Sequence, residues 1–392
     1  METITIPYLC SNRGVERENK GTKGNRRKEA RKNKRGTQEG SLAHAIMASS
    51  LSLLVAALAT PHILIATLAA PLPQLPDLSA GELSSGDIGS GDVLPANPND
   101  SKLLRDVPMI MTHDSATGYK GDDGLFVKVQ DSGFKDQLAC GARAFDLRAA
   151  AWDDGNAYYQ HLPCADCDLV PPTTVLDQYL GGPSFEDFTN FADEHPDELV
   201  ILYLSHCVDM QRDWVLKPYT KAIDCADSKF VKTFHEKKIL YLNEEEDCMH
   251  GECLANMTFG EARRRAKEHG QGGIIAITGT WNNEPSDFIR ENWNPDVTDW
   301  ATFNGYLSEF ASQTPDAHQL SVFQAHWQAM DLVDTAPGDG GFNALFLRML
   351  QASIVPLHRM NLIQINWFCK GGKAIAQAIG AQHLDQCPSE CK

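Results

Sequence analysis

What this sequence lacks narrows it before anything it contains. No G-x-G-x-x-G or G-x-x-x-x-G-K element stands in any strand-to-helix turn of its 392 residues, which removes the usual backbone grips on nucleotide phosphates. Positive charge is scarce beyond the opening. The first 46 residues hold 11 Lys and Arg against 5 Asp and Glu, leaving 24 against 47 in the rest, a net of −23. A body this acidic repels a phosphate backbone and excludes nucleic acid as a partner.

Long apolar runs are also rare. One continues from Leu51 to Ala70 behind Met47, broken by Pro61 and His62, with small-residue cleavage candidates at Ala57-Leu-Ala59 and Ala69-Ala70. These features predict a secretory signal peptide over 47–70; roughly 20 apolar residues can also span a bilayer, so an anchor over 51–70 is the alternative. Residues 1–46, rich in Lys, Arg, Gly and Asn between Arg13 and Arg35, read as a disordered extension or as a misassigned start, with Met47 the true one. Residues 71–100 shift to Pro, Gly, Ser and Asp, with the near-repeat Ser85-Gly-Asp-Ile-Gly-Ser-Gly-Asp92, and read as a flexible linker. That leaves 101–392 as a single domain.

Of the eleven cysteines only Cys10 precedes the apolar run, and the even remainder predicts disulfides in an exported chain. Cys248 with Cys253 and Cys387 with Cys391 are the local pairs expected. His161, Cys164 and Cys167 could instead hold a metal, a reading that export disfavours. Asn99-Asp-Ser101 and Asn256-Met-Thr258 are glycosylation sequons if the secretory route is eukaryotic.

Within the domain, short apolar runs alternate with helical patterns. Strands are expected at Val107 to Met111, Ala144 to Ala149, Ala157 to Gln160, Leu199 to Leu204, Lys238 to Leu242, Gly273 to Thr278, Leu320 to Ala325 and Leu362 to Trp367. Helices are expected near Thr174 to Leu180, Phe185 to Glu194, Trp214 to Ile223, Phe259 to His269 and Phe342 to Ser353. Eight strands in this span predict an α/β fold of the closed (β/α)8 TIM-barrel kind.

Barrel sites lie at the C-terminal ends of the strands. There the sequence places His113, Arg148, His161, His206, Glu244, His326 and Asn366. Asp114 adjoins His113, and Asp146 lies two residues from Arg148, on the same side of an extended chain. Imidazole titrates near neutrality and a guanidinium holds phosphate oxygens in pairs, so the group fits proton transfer on a phosphate.

Thr112-His-Asp-Ser-Ala116, then Phe145-Asp-Leu-Arg148, then a histidine after the next strand, resembles the X-type catalytic half of phosphatidylinositol-specific phospholipase C. The likeness is strongest to its metal-independent bacterial branch, and it extends through Glu194-His-Pro-Asp-Glu198-Leu-Val-Ile-Leu202. The resemblance implies that His113 is a general base and His161 a general acid. Asp114 would hold the acid and the arginine, Arg148 would stabilise the pentacoordinate phosphate, and the product would be a cyclic phosphodiester. Asp146 completes the catalytic set. Asp114 and Asp146 are the possible calcium ligands, but with Arg148 supplying positive charge no cofactor is expected. His206, Glu244, Trp281, His326 and Asn366 are the candidate substrate contacts, although His206 and His326 also read as rim hydrogen bonders. Trp281, Trp293, Trp300 and Trp327 also read as loop packing. Asn366 stands where the bacterial enzymes carry an aspartate that orients the base. The expectation is a secreted monomeric phosphodiesterase acting on a phospholipid at a membrane surface. The alternatives are a phosphodiesterase for sphingolipid or glycerophosphodiester head groups, and a weakly active secreted binding protein.

Overall fold

The computed structural model of the chain describes residues 94–119, 128–152, 154–161, 175–210, 220–242, 254–270, 272–279, 288–292, 294, 297, 299–314, 317–326, 340–384 and 386–388. All fall in one compact unit, 85–392. The expected signal or anchor, Glu244, Trp281, Trp293, Trp327, Cys164, Cys167, the Cys248 and Cys253 pair and residues 214–219 lie outside the described residues. No helix among the described residues is long and apolar enough to cross a membrane.

Among the described residues eleven strands form one sheet: β1 Met109–Thr112, β2 Ala142–Ala151, β3 Ala157–Gln160, β4 Val175–Tyr179, β5 Val200–Met210, β6 Thr220–Ala222, β7 Leu240–Tyr241, β8 Ile274–Thr278, β9 Ile289–Glu291, β10 Leu320–Gln324 and β11 Leu362–Ile365. Eight of them run parallel in the order β7-β8-β5-β2-β1-β11-β10-β9. Their closure follows from one contact. Tyr203 on β5 donates its hydroxyl proton to Glu291 on β9 across 2.5 Å, although four strands separate the two in the sheet. In a flat sheet that separation would be about 24 Å, at roughly 4.8 Å per strand. The sheet therefore curls into a TIM-type barrel, with no ladder between β7 and β9 among the described residues.

Alternation along the strands sorts the core. Met109, Met111, Ala144, Ile201, Tyr203, Ile275, Ile277, Leu320, Val322 and Leu362 meet inside the barrel. The residues between them, among them Ile110, Phe145, Leu202, Leu204, Ile274, Phe323 and Ile363, pack outward against the helices. Each fully buried aliphatic side chain contributes roughly 1.5–3 kcal/mol. Seven helices are described: α1 Phe134–Ala139, α2 Glu186–Glu194, α3 Ser228–Glu236, α4 Phe259–His269, α5 Trp300–Ser312, α6 Gly340–Gln351 and α7 Gly372–Ala378. Helix α5 shows how sequence sets them. Asp299 and Thr302 form a reciprocal capping box, and Phe303, Tyr306, Leu307 and Phe310 recur on one face, where Tyr306 and Phe310 pack on Phe323 of β10.

Four expectations are corrected. Ala157 to Gln160 is no barrel strand: β3 pairs antiparallel with β2, Ala149 opposite Tyr159. The five residues between β2 and β3 are too few for a parallel crossover, which needs a dozen or more. The segment expected to be helical from Thr174 instead forms β4, antiparallel to β3. The eighth parallel strand is β9, whose short Ile-Arg-Glu run shows no apolar pattern. Of the expected helix to Ile223, residues 220–222 form β6, paired antiparallel with β5. Cys387 pairs with Cys140 rather than Cys391, across 247 residues of chain, which local spacing cannot reveal. Cys207 pairs with Cys225, and Cys369 is also disulfide-bonded.

Candidate active site

The inward-facing positions change character along each strand, apolar at the bottom and polar at the top. His113 continues the inward series Met109, Met111. Asp146 and Arg148 continue Ala144, Ser205 continues Ile201, Tyr203, and Gln364 and Asn366 continue Leu362. Strict alternation would send the next residue outward. At the ends of β1 and β5 it does not, because Asp114 and His206, each following an inward residue, adopt φ of 44° and 51°. A non-glycine residue there costs on the order of 1–3 kcal/mol, and at Asp114 the turn lets two successive side chains serve one site. The turn is held by Thr117, whose hydroxyl donates to the Asp114 carbonyl at 2.8 Å. Gln130, fully buried, bridges the C-terminal ends of β1 and β11: its amide donates to the carbonyls of His113 (2.8 Å) and Ile365 (2.9 Å) and its oxygen accepts from the Phe368 amide.

Donor inventory fixes the tautomer of His113. Arg148 Nη2 lies 3.0 Å from His113 Nε2, and a guanidinium only donates, so Nε2 accepts. Nδ1 then carries the hydrogen and donates to Asn366 Oδ1 at 2.8 Å. Burial lowers the pKa of His113, against the raising effect of Asp114, and keeps the ring neutral. The His326 ring stacks on it at 4.4 Å, with its own Nε2 3.1 Å from Gln364 Oε1.

Asp114 touches three cations or potential cations. Its carboxylate lies 2.5 Å from Arg148 Nε, 3.0 Å from His161 Nε2 and 3.4 Å from His113 Nε2. Burial alone would raise its pKa, but Arg148, His161 and His113 outweigh it and hold the carboxyl well below its ordinary value. His161 reaches the site because β3 returns antiparallel along β2, bringing it back beside Arg148. Its Nε2 faces Asp114 while its buried Nδ1 has no hydrogen-bond partner. Arg148 is largely buried, yet Asp114 and Asp146 more than offset that desolvation and raise its pKa further. Asp146 accepts from Arg148 Nη2 (3.3 Å), the Asp114 amide (3.2 Å) and the Ser205 hydroxyl (2.7 Å). With its proton committed to Asp146, Ser205 Oγ accepts from His206 Nδ1 at 2.8 Å. Burial, then Arg148, lowers the pKa of His206 to about 3, so the ring is neutral.

The structure thus brings together His113, Asp114, Asp146, Arg148, His161 and Asn366, with His206 and His326 directly behind them. Glu244 and Trp281 lie outside the described residues. Sequence reasoning missed Ser205, Gln130 and Glu291. Ser205 was legible as the small hydroxyl that ends the inward series of an apolar strand; Gln130 had no local signal. Burial raises the Glu291 carboxyl, which accepts from Tyr203. His113, Asp114 and Asp146 lie close enough to share a cation. However, the Arg148 guanidinium fills the space between the two carboxylates, so a metal would have to displace it.

No family model and no curated protein matches the sequence. Solved structures do. One variant of phosphatidylinositol-specific phospholipase C from Staphylococcus aureus aligns with a TM-score of 0.51 at 13% identity, covering 71% of this chain and 94% of that one. A second variant of the same enzyme gives 0.50 at 14% identity, over 72% and 95%. Identity this low speaks to the fold alone, and by that measure the chain has the fold of the phospholipase C-like phosphodiesterases.

Proposed function

We propose that the chain is a metal-independent phosphodiesterase that cleaves a phosphatidylinositol-like lipid and releases a cyclic phosphodiester. The observation that carries the reading is the tautomer of His113. Its Nε2 lone pair faces Arg148, so a hydroxyl of the substrate and the phosphate beside it would meet base and guanidinium together. In the proposed step His113 Nε2 takes the proton of a hydroxyl neighbouring the phosphodiester, and that oxygen attacks phosphorus. Arg148 stabilises the charge on the equatorial oxygens. His161, aimed by Asp114, delivers a proton to the leaving alkoxide as the bond from phosphorus to it breaks. Asp146 and Ser205 keep the guanidinium in place. Fold similarity to the Staphylococcus aureus enzyme supports the substrate class, and the cysteine-rich export pattern supports action outside the cell. Asn366, neutral where a charge is expected behind the base, favours a slow enzyme or a binding protein as the second reading.

The test is turnover on vesicles of phosphatidylinositol, sphingomyelin and a glycerophosphodiester, read by phosphorus NMR for a cyclic product. His113→Ala should abolish cleavage of every substrate. His161→Ala should lose about 10² to 10⁴-fold on the natural lipid but far less on a nitrophenyl ester, whose leaving group needs no proton. Equal loss on both substrates refutes the acid assignment, and no turnover on any lipid leaves the binding-protein reading.

A further inference from the structure

At the opposite end of the barrel from the site above, where the chain enters β5, a second cluster of ionisable groups has an incomplete set of partners. His383, in the segment after α7, places Nε2 2.8 Å from Asp197 Oδ2 and 3.9 Å from Glu198 Oε1. Glu198 is only 5% exposed. Its Oε2 accepts from Arg143 Nε at 3.1 Å, but its buried Oε1 has no hydrogen-bond partner. The other nitrogens of Arg143 donate instead to the carbonyls of Leu138, Ala142 and Gln382. The imidazole does not serve it either, since its single Nε2 hydrogen goes to Asp197. A buried carboxylate oxygen left without a donor is unfavourable.

We propose that Asp197, Glu198 and His383 form a divalent-cation site, suited to zinc, that pins the C-terminal segment to the base of β5. The three ligand atoms already lie within 4.8 Å of one another. Tetrahedral zinc with bonds of about 2.0–2.2 Å needs ligand atoms about 3.3–3.5 Å apart. The observed 2.8 and 3.9 Å bracket that spacing, so small side-chain shifts suffice. One imidazole and two carboxylates are a donor set that zinc accepts, with water in the fourth position. A metal satisfies what one N–H cannot, engaging both carboxylates at once. Arg143 on the far oxygen of Glu198 fixes that carboxylate's orientation, and the Asn97 amide holds the Asp197 carbonyl at 2.9 Å. Entry is open, since the His383 and Asp197 side chains are 32% and 20% exposed.

The test needs no enzyme activity. Zinc is titrated calorimetrically into the chelator-stripped, disulfide-intact protein, and thermal unfolding is followed with and without the ion. One site per chain is expected, with a rise in Tm on zinc addition. His383→Ala and Asp197→Asn should each weaken binding by roughly tenfold or more and remove the rise in Tm. His113→Ala should change neither, which separates this cluster from the one at the barrel top. The idea is overturned if the wild type binds no zinc at submillimolar concentration, or if binding survives both His383→Ala and Asp197→Asn; the cluster is then an ion pair only.

Discussion

Asn366→Asp is the most informative single change, because the hydrogen bond it would alter is already made. Asn366 Oδ1 accepts from His113 Nδ1 at 2.8 Å, so the tautomer needed by a base acting through Nε2 is in place in the natural protein. An aspartate would add only charge. At an effective dielectric of 20, unit charges 4 Å apart interact by about 4 kcal/mol. Desolvating the new carboxylate, at a position only 9% exposed, offsets about half of this. The remaining ~1.5–3 kcal/mol would favour the imidazolium that forms as the base takes its proton, a gain of about 10 to 10²-fold in kcat. That is smaller than the ~10⁴-fold effect of the reverse substitution in serine proteases, where the wrong tautomer is also selected. The same charge raises the pKa of His113, so the acid limb of the pH-rate profile should move to higher pH and the variant's advantage should shrink as pH falls. Comparing the two proteins' profiles on phosphatidylinositol vesicles checks both effects. A variant no faster than the natural protein, with an unmoved acid limb, refutes the assignment of His113 as base.

Activity should survive a chelator, whereas Arg148→Asp should abolish it or create a calcium requirement, since something positive must face the phosphate oxygens; loss of natural activity in chelator, restored by calcium, would refute this. Stability should fall on mild acidification. His206 has a folded pKa of about 3 against roughly 6.5 unfolded, so the unfolded chain takes the proton first as pH drops below 6.5. Between pH 7 and 5 the loss is at most about 2 kcal/mol, less because the ring is partly exposed. His206→Asn, which tolerates the positive φ, should flatten that slope in denaturant titrations at the two pH values; parallel slopes would show that His206 is not held neutral.

The barrel and the polar rim were legible because strand periodicity and strand-end chemistry are both local. His113, Asp146, Arg148 and Asn366 could be placed from the alternation of their own strands. The hairpin was misread because Ala157 to Gln160 has the composition of a buried strand; the short connection, not the composition, decides its direction. Glu291 was invisible, since three residues without an apolar pattern give no strand signal, and only closure of the sheet brings β9 opposite Tyr203. The pairing of Cys140 with Cys387 likewise depends on where α7 and the tail return, which no spacing encodes.

Asp114 gives the site a single point of failure. The one carboxylate holds the guanidinium, aims the acid and lies against the base, so its loss disturbs all three at once, even though Asp146 also holds Arg148 and Asn366 also holds His113. Mutagenesis at 114 therefore assigns no role: whatever is lost, three causes are lost together. The same dependence bears on redesign. Base, acid and guanidinium cannot be retuned one at a time through this residue, and a changed head-group preference has to be built from other rim positions.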